Sequence, residues 1–316
     1  YGSVVRAGHY GEVAYNATVT GAESSSSGIT LFLAAELSSL VRAPGATRCA
    51  VGSLPALPAP GSHRATPLPY LAADDAQRAR SLNEALRDPE VEAIFCARGG
   101  YGCLRLLGLL DEQALLQRRP LLVGFSDCTV LHAWAGKLGV PSIHGPVVTQ
   151  LPRLPQEDVD HLFALLEGRT IPPLSGLQTV VPGRASGPLF GGNLSLVCHL
   201  CGTPYLPNLG GAILLLEEVA EPPYRIDRML THLALCGVLE RGAGIAVAQL
   251  ERCDAPQGQP PTLTVAESVL RERLEGLSAP TVMGIHAGHG NRNLALPLGT
   301  EVQLDADAGF LRLNPE

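Results

Sequence analysis

Short apolar runs alternate with helix-like patterns through the first half of the chain, and this alternation constrains the fold more than any other feature. Strands that alternate with helices are typical of a parallel sheet whose crossover helices cover both faces. The alternation therefore predicts an N-terminal Rossmann-like (flavodoxin-like) α/β domain with a doubly wound sheet. The predicted strands are 12–20, 47–52, 90–96, 120–125 and 142–144, and the predicted helices are 29–41, 73–87, 103–110 and 127–138, with a proline-rich loop at 54–69.

The composition changes after residue 150, where prolines become frequent around one predicted helix at 156–167. Such a stretch is typical of a connection between domains. We therefore predict an N-terminal domain at 1–152, a linker at 153–187 and a C-terminal domain at 188–316. The C-terminal domain is predicted to hold a helix opened by GGNL at 191–194, strands at 211–216, 243–250 and 280–285, a helix at 225–239 and an edge strand at 300–312.

The charge and hydropathy of the chain exclude two classes of partner. A net charge of -7 over 316 residues leaves no basic face that could neutralise phosphates, so we expect no nucleic-acid partner. No apolar run approaches the roughly 20 residues that span a bilayer, and no charged leader precedes an apolar segment. The sequence therefore predicts a cytosolic protein without a membrane partner.

A serine stands where the apolar run 121–123 ends and a helical pattern begins. A strand-to-helix turn this tight projects a hydroxyl from the end of a sheet, and the N–H of the next residue, Asp127, can stabilise an oxyanion. Ser126 is thus a candidate nucleophile. Its alternative role is an ordinary helix N-cap. An esterase of the α/β-hydrolase type is disfavoured, because Cys128 stands where the Gly-x-Ser-x-Gly turn has glycine.

A carboxylate and a histidine end two later apolar strands. Glu217 and Glu218 follow the run 212–216, where an acid would be held rigidly as the third member of a catalytic triad. His289 lies in the glycine-rich segment 284–290, and His286 competes with it for the role of base. The other interpretation of the two glutamates is a surface pair at a strand end.

The cysteines predict no disulfide scaffold, since eight are spread over a long chain and several lie inside apolar runs. Cys198 and Cys201 form a C-x-x-C motif without a second pair at zinc-finger spacing. We interpret both thiols as small core side chains and expect neither a metal nor any other cofactor.

Seven motifs occur in order across residues 70–299. They are RGGYG at 98–102, GFSD at 124–127, IHGP at 143–146, GGNLS at 191–195, LLEE at 215–218, PYRIDRML at 223–230, and GH at 288–289 followed by NLALPLG at 293–299. Together they resemble the LD-carboxypeptidase family of serine peptidases, which includes murein tetrapeptide carboxypeptidases and microcin C self-immunity peptidases.

The resemblance implies a metal-free serine hydrolase that cuts the amide between an L-configured centre and a terminal D-amino acid. By this resemblance, Ser126 is the nucleophile, Glu217 is the triad acid and His289 is the base. It also implies a Rossmann-like N-terminal domain, a β-rich α+β C-terminal domain and a homodimer. The implied substrate is a muropeptide ending in D-Ala, cleaved in peptidoglycan recycling.

Further site residues follow from the glycine-rich loop and the later motifs. The second oxyanion donor is predicted at Gly100, beside the N–H of Asp127. The predicted substrate-binding residues are Gly99, Tyr101, Asn193 and Arg225. Alternatively, Asn193 caps a helix. The arginines near the motifs have the alternative role of forming structural ion pairs.

Two alternatives remain open at this point. The first is a different substrate, a peptidyl-nucleotide of the microcin C type. The second is a non-catalytic muropeptide-binding module of the same fold, which the polar, interrupted first strand and the run of serines at 24–27 make worth considering.

Overall fold

The computed structural model describes residue 71, residues 73–254 and 265–313, and the backbone of three short strands at 5–6, 14–15 and 49–50. The chain forms two compact units, one of Tyr1–Leu121 with Val147–Arg153 and one of Leu122–Pro146 with Leu154–Glu316. Within the described part of the chain, no helix combines the length and the apolarity needed to cross a bilayer.

In the described residues of the first unit there are two pairs of strands and two α-helices. Strand β1 (Val5–Arg6) runs antiparallel to β2 (Ala14–Tyr15), and β3 (Cys49–Ala50) runs parallel to β4 (Ala93–Phe95). Helix α1 (Asp75–Arg87) begins because the Asp74 carboxylate accepts a hydrogen bond from the Gln77 N–H, and it buries Leu82 and Leu86. Two short 3-10 helices (Cys103–Arg105 and Leu107–Leu109) precede α2 (Glu112–Arg118).

The predictions for this unit are confirmed at 73–87 and 90–96 and wrong at 103–110. The predicted single helix there is two 3-10 turns, in which Leu106 and Leu109 donate to carbonyls three residues earlier. Asp111 then caps a new helix through the Ala114 N–H. Gly108 in the middle of the segment weakens a continuous α-helix. The predicted helix 29–41, the loop 54–69 and most of the strands 12–20 and 47–52 lie outside the described residues.

The second unit begins with the strands that flank the candidate nucleophile. Strand β5 (Leu121–Gly124) pairs in parallel with β6 (Ser142–His144), and β13 (Leu296–Leu298) pairs antiparallel with β6. A 3-10 turn (Ser126–Cys128) and helix α3 (Thr129–Lys137) connect β5 to β6, as the sequence predicts. The buried face of α3 includes Val130, Leu131 and Trp134.

The larger sheet of this unit has eight strands, in the order β7, β15, β14, β9, β10, β11, β12, β8. Strands β9 to β12 are parallel, and the flanking strands are antiparallel. The strands are β7 (Leu174–Ser175), β8 (Gln178–Val181), β9 (Arg184–Asn193), β10 (Ile213–Val219), β11 (Gly244–Glu251), β12 (Thr281–Met283), β14 (Glu301–Asp305) and β15 (Phe310–Leu313). The helices are α4 (Gln156–Leu166), α5 (Leu194–Leu200), α6 (Pro223–Leu235), α7 (Val238–Arg241) and α8 (Val265–Glu275).

Helices α5, α6 and α8 cover this sheet around one apolar core. Leu214, Leu216, Ile245 and Val247 of the central strands are buried in it, as are the helix residues Ile226, Leu230, Leu233, Leu270 and Leu274. The repeat of Ile226, Leu230 and Leu233 at helical spacing explains why this stretch forms an amphipathic helix. A mixed α/β protein with parallel strands and a β-rich C-terminal region is the predicted fold class, which is confirmed.

Three predictions for the second unit need correction. The predicted linker 153–187 contains β7, β8 and the first residues of β9 as well as α4. The predicted edge strand 300–312 is a hairpin of β14 and β15, and each has a neighbour on both sides. The predicted helix 225–239 is split at Gly237, whose φ of 66° ends the helical geometry. The domain boundaries at 152/153 and 187/188 stay predictions.

Candidate active site

Ser126 occupies a strained turn between β5 and α3. Its φ is 63°, in the left-handed region that costs a residue with a side chain about 1–3 kcal/mol. Phe125 before it is fully extended, and Asp127 and Cys128 after it are buried, whereas Ser126 is half-buried. The turn therefore projects the serine side chain from the strand end, while the N–H groups of the first helical turn follow directly behind it.

The structure brings Ser126, His289 and Glu217 into one hydrogen-bonded row. The Nε2 atom of His289 lies 3.1 Å from Ser126 Oγ, and its Nδ1 atom lies 2.8 Å from Glu217 Oε2. Ser126 lies in the turn after β5, Glu217 lies near the end of β10, and His289 lies in the loop after β12. Both distances fall within the hydrogen-bond range that a nucleophile and its base require. His286, the competing histidine, is exposed.

Burial sets the electrostatics of Glu217. The carboxyl group is completely buried, and this desolvation raises its pKa, while the hydrogen bond from His289 acts in the opposite direction. A buried carboxylate whose Oε2 atom accepts from Nδ1–H fixes the imidazole tautomer, so that Nε2 is left to accept a proton from the serine. The tautomer here is inferred from the partners of each ring nitrogen.

The loop that carries His289 depends on a close approach to Glu217. Gly288 has a φ of 113°, and a Cβ at this position would lie 2.6 Å from Glu217 Oε2. The ring of Phe125 packs edge-on against His289, with centroids 4.7 Å apart. Glycine at 288 therefore lets the loop pass beside the carboxylate, and Phe125 fixes the imidazole from the side of the nucleophile turn.

An ion pair between half-buried Arg292 and buried Asp158 supports the same loop, and it was not predicted from the sequence. Asp158 of α4 is fully buried and accepts hydrogen bonds from Arg292 Nε and from the Asn293 N–H at 2.8 and 2.9 Å. The Asn293 side chain in turn accepts from the Gly288 N–H at 2.8 Å. Asp158 reads in the sequence as an ordinary acid in the first turn of a helix, so no local pattern points to its partner.

Glu218 and Asn193 form a second polar network beside the triad residues. The Glu218 carboxylate accepts hydrogen bonds from Asn193 Nδ2, the Ser195 N–H, the Ser195 hydroxyl and the Val219 N–H, at 2.7–2.9 Å. Asn193 caps α5, because its Oδ1 accepts from the Leu196 N–H. The capping interpretation of Asn193 is therefore the one observed, and its contact with substrate stays a prediction. The surface-pair interpretation of the two glutamates is wrong, since both are buried.

Two buried histidines lie behind the nucleophile turn. His132 bonds Ser142 Oγ through Nδ1 and the Gly124 carbonyl through Nε2, at 2.9 and 2.8 Å. Burial lowers the pKa of His132 to about 4 and that of His144 to about 3. Both imidazoles are therefore neutral at pH 7. Neither histidine was predicted as a site residue, although His144 belongs to the IHGP motif.

The glycine-rich loop of the first unit follows β4, as predicted. Gly100 and Gly102 have φ values of 132° and 123°, which only glycine adopts without strain. The buried guanidinium of Arg78 bonds the Gly102 carbonyl at 3.2 Å and Asp75 at 2.5 Å, and so holds the end of the loop. Tyr101 is exposed. The oxyanion role of Gly100 and the binding roles of Gly99 and Tyr101 stay predictions.

The arginines of α6 make surface contacts. Arg225 forms an ion pair with Glu221 at 3.2 Å, in agreement with its interpretation as a structural residue. Its contact with a substrate carboxylate stays a prediction. Arg228 lies over the ring of Tyr224, and Asp227 pairs with Arg273.

Two family models match the chain. The model of the LD-carboxypeptidase N-terminal domain matches residues 47–145, and the model of the C-terminal domain matches residues 186–304. The chain belongs to the LD-carboxypeptidase family. It is accordingly a serine-type carboxypeptidase, a hydrolase of peptide bonds, and the family resemblance inferred from the seven motifs is confirmed.

Relatives within the LD-carboxypeptidase family cover most of the chain. A putative carboxypeptidase of Synechocystis sp. is 42% identical over 77% of this chain and 79% of its own length. The murein tetrapeptide carboxypeptidase of Pseudomonas aeruginosa is 33% identical over 78% of this chain and 83% of its own. Among solved structures, muramoyltetrapeptide carboxypeptidase from Oxalobacter formigenes superposes with a TM-score of 0.67 at 32% identity, over 77% of this chain and 85% of that one.

Among the residues that the structure describes, one group of potential metal ligands lies outside the serine site. Cys201, His232 and Cys236 place one ligand atom each within 4.8 Å of the others. In the sequence the C-x-x-C motif has no second pair at zinc-finger spacing, and neither His232 nor Cys236 was predicted as a ligand. The i, i+4 spacing on a helix is the signal that could have found it.

Proposed function

We propose that this chain hydrolyses the amide between an L-configured centre and a terminal D-Ala of a murein tetrapeptide, with Ser126, His289 and Glu217 as its catalytic triad. The observation that carries the proposal is the continuous row of hydrogen bonds from Ser126 Oγ through His289 to Glu217. The names of the relatives supply the substrate class. The role is peptidoglycan recycling, and the cytosolic location and the homodimer stay predictions.

In the first half-reaction, Ser126 Oγ attacks the scissile carbonyl while its proton passes to His289 Nε2. Glu217 holds the imidazole through Nδ1–H and stabilises the imidazolium that forms. The tetrahedral intermediate then collapses, and His289 gives the proton to the leaving amine of D-Ala. Because the turn already holds Ser126 in its projecting conformation, little reorganisation precedes the attack.

The negative charge that develops on the carbonyl oxygen needs fixed donors. In our proposal the Asp127 N–H, at the start of the helical turn after Ser126, is one donor and the Gly100 N–H is the other. Each such donor is typically worth about 10²–10³ in rate. In the second half-reaction water attacks the acyl-serine, with His289 now acting as general base, and the tripeptide leaves.

A panel of four substrates tests the proposal. It contains a murein tetrapeptide ending in D-Ala, the same peptide ending in L-Ala, a peptidyl-nucleotide of the microcin C type and a simple carboxylic ester. We expect release of D-Ala from the first substrate at a kcat/KM at least about 10²-fold above that of the others, as expected for a site that recognises the configuration by contact. Equal hydrolysis of the L-Ala peptide, or binding without hydrolysis, would contradict it.

The same panel separates the alternatives. Preferred cleavage of the peptidyl-nucleotide would assign the second substrate class of the family, and preferred cleavage of the ester would assign an esterase. A non-catalytic module would bind the tetrapeptide and release nothing. Chiral chromatography of the released alanine is the readout.

A further inference from the structure

Two helices of the second unit end beside each other and place sulfur and nitrogen ligands together. Cys201 is the C-terminal cap of α5, and Cys236 is the C-terminal cap of α6. His232 lies one turn before Cys236 on α6, so their side chains share a face of that helix. Cys236 Sγ is 3.7 Å from His232 Nε2, and the ligand atoms of all three residues lie within 4.8 Å of one another.

These distances suit a tetrahedral zinc ion. Zn–S bonds of about 2.3 Å and Zn–N bonds of about 2.0 Å give N···S edges of about 3.5 Å and S···S edges of about 3.8 Å. The observed Sγ···Nε2 separation already matches such an edge. The longest separation in the cluster is at most 4.8 Å and exceeds an edge by at most about 1.3 Å, a displacement within the reach of partly exposed side chains.

The charge of the surroundings also suits this ligand set. Two thiolates would neutralise Zn²⁺, and the neutral imidazole of His232 would add its lone pair. The carbonyl ends of α5 and α6 bring partial negative charge toward the cluster. The Arg241 guanidinium donates hydrogen bonds to the carbonyl oxygens of Gly237 and Cys236, at the same end of α6.

We propose that Cys201, His232 and Cys236 bind one zinc ion, with a water molecule as the fourth ligand. Binding releases two protons, one from each thiol, and requires no oxidant. The Cys198 thiol is not one of the three clustered ligands and donates to the Met229 carbonyl at 3.4 Å, while the Cys201 thiol donates to the Val197 carbonyl at 3.5 Å. The ion joins the C-terminal ends of α5 and α6. The site is separate from the serine chemistry, so its role is structural and independent of the proposed function.

The structural role of the zinc ion follows from the contacts at the N-terminal end of α5. The N-terminal turn of α5 is bound to Glu218 through the Ser195 N–H and hydroxyl, and Glu218 is adjacent in sequence to Glu217. Fixing the C-terminal ends of both helices therefore stabilises the region that carries the triad acid. Because α6 also packs on the core through Ile226, Leu230 and Leu233, the ion would stabilise the folded state as a whole.

Zinc titration of the reduced, chelator-treated full chain tests the site. We expect one equivalent of Zn²⁺ per chain by equilibrium dialysis and elemental analysis, release of two protons, and an increase in melting temperature of about 5 °C at saturating zinc. With Co²⁺, we expect thiolate charge-transfer bands together with the visible bands of tetrahedral coordination. Failure of the reduced wild-type chain to bind a stoichiometric ion would overturn the proposal.

Substitutions of the ligands and of their neighbours give matched comparisons. Cys201→Ser, Cys236→Ser and His232→Gln should each weaken binding by more than about 10²-fold, beyond the 10–100-fold typical of changes around a metal's ligands. His199→Gln, an exposed histidine on α5, and Cys198→Ser should retain the ion. Cooperative melting of each variant without metal verifies that it folds. Zinc affinity that is unchanged in all three ligand variants, or lost in Cys198→Ser as fully as in Cys201→Ser, would refute the assignment.

Discussion

Two adjacent glutamates at the end of β10 have different partners, and the difference separates their functions. Glu217 offers Oε2 to His289, whereas Glu218 accepts four hydrogen bonds that hold the start of α5. The sequence alone gives both residues the same environment, an acidic pair after an apolar run. Alternation along the strand places their side chains on opposite faces, and this decides which one reaches the histidine.

Glutamine substitution of each glutamate distinguishes the two functions. Glu217→Gln should lower kcat by about 10³–10⁴, because the amide can no longer stabilise the imidazolium, while the melting temperature changes little. Glu218→Gln should instead lower the free energy of unfolding by about 2 kcal/mol, because a neutral amide cannot accept all four bonds. Steady-state kinetics and urea unfolding of both variants provide the measurements. The reverse pattern would assign the triad acid to Glu218.

The position of His289 depends on the absence of a side chain at residue 288. In Gly288→Ala the new methyl group would meet Glu217 Oε2 at 2.6 Å and would occupy a backbone conformation with φ of 113°. We expect kcat to fall by about 10²-fold or more as the imidazole moves from Ser126, since displacements near 1 Å have such effects. Gly139→Ala is the matched control, because it is a glycine with positive φ and open space around it. Equal kcat in the two variants would contradict this account.

At the scale of elements, the strand and helix periodicity identified much of the architecture. Helices α1, α3 and α4 and strands β4, β5, β6, β10, β11 and β12 lie where the apolar patterns place them. The errors fall in 103–110, 153–187, 225–239 and 300–312. Prolines at 182 and 188 and glycines at 183 and 187 mimic a linker, but neighbouring strands stabilise β8 and β9 despite them.

The site residues likewise include some that the sequence predicted and some that it did not. The ends of apolar strands indicated Ser126 and the pair Glu217 and Glu218, and spacing left His286 and His289 unresolved. The supporting contacts of Asp158, His132 and His144 could not be predicted, because each depends on a partner that is distant in the chain or on burial that only the fold creates. Pairing of α5 with α6 likewise completes the cysteine cluster.

The buried histidines behind β5 make stability depend on pH. The pKa values of His132 and His144 are lowered to about 4 and about 3, whereas in the unfolded chain they are near 6.5. The unfolded state therefore binds more protons below pH 6.5, so stability is lost as pH falls from about 6.5 toward 4. Each histidine should lower the free energy of unfolding by about 2 kcal/mol between pH 7 and pH 5.

Comparison of the wild type with His132→Gln isolates this contribution. Burial raises the pKa of Glu217, which opposes the trend equally in both proteins. Urea unfolding at pH 7 and pH 5 should therefore show a decrease in stability that is smaller by about 2 kcal/mol in His132→Gln, whose amide can keep the bond to Gly124. An identical decrease in both proteins would show that His132 is protonated in the folded state.

At the scale of the whole molecule, residues 126, 217 and 289 are brought together by the second compact unit alone. Parallel strands β9 to β12 end on the same side of their sheet, which is where ligands gather in sheets of this kind. The nucleophile turn lies between β5 and α3. Helix α3 is connected to β9 by the hydrogen bond from the Asn193 N–H to Thr129 Oγ1 at 3.0 Å. Membership of the LD-carboxypeptidase family agrees with this arrangement.

Single-turnover release of D-Ala from a murein tetrapeptide, compared among the wild type and serine and histidine variants, tests the triad most directly. Ser126→Ala and His289→Ala should each lower the rate by about 10⁴–10⁶ with the fold intact, as for residues that act as a unit. His286→Ala, the exposed neighbouring histidine, should keep a near-normal rate. Near-normal release of D-Ala by the Ser126→Ala protein would contradict the assignment of the nucleophile and, with it, the proposed mechanism.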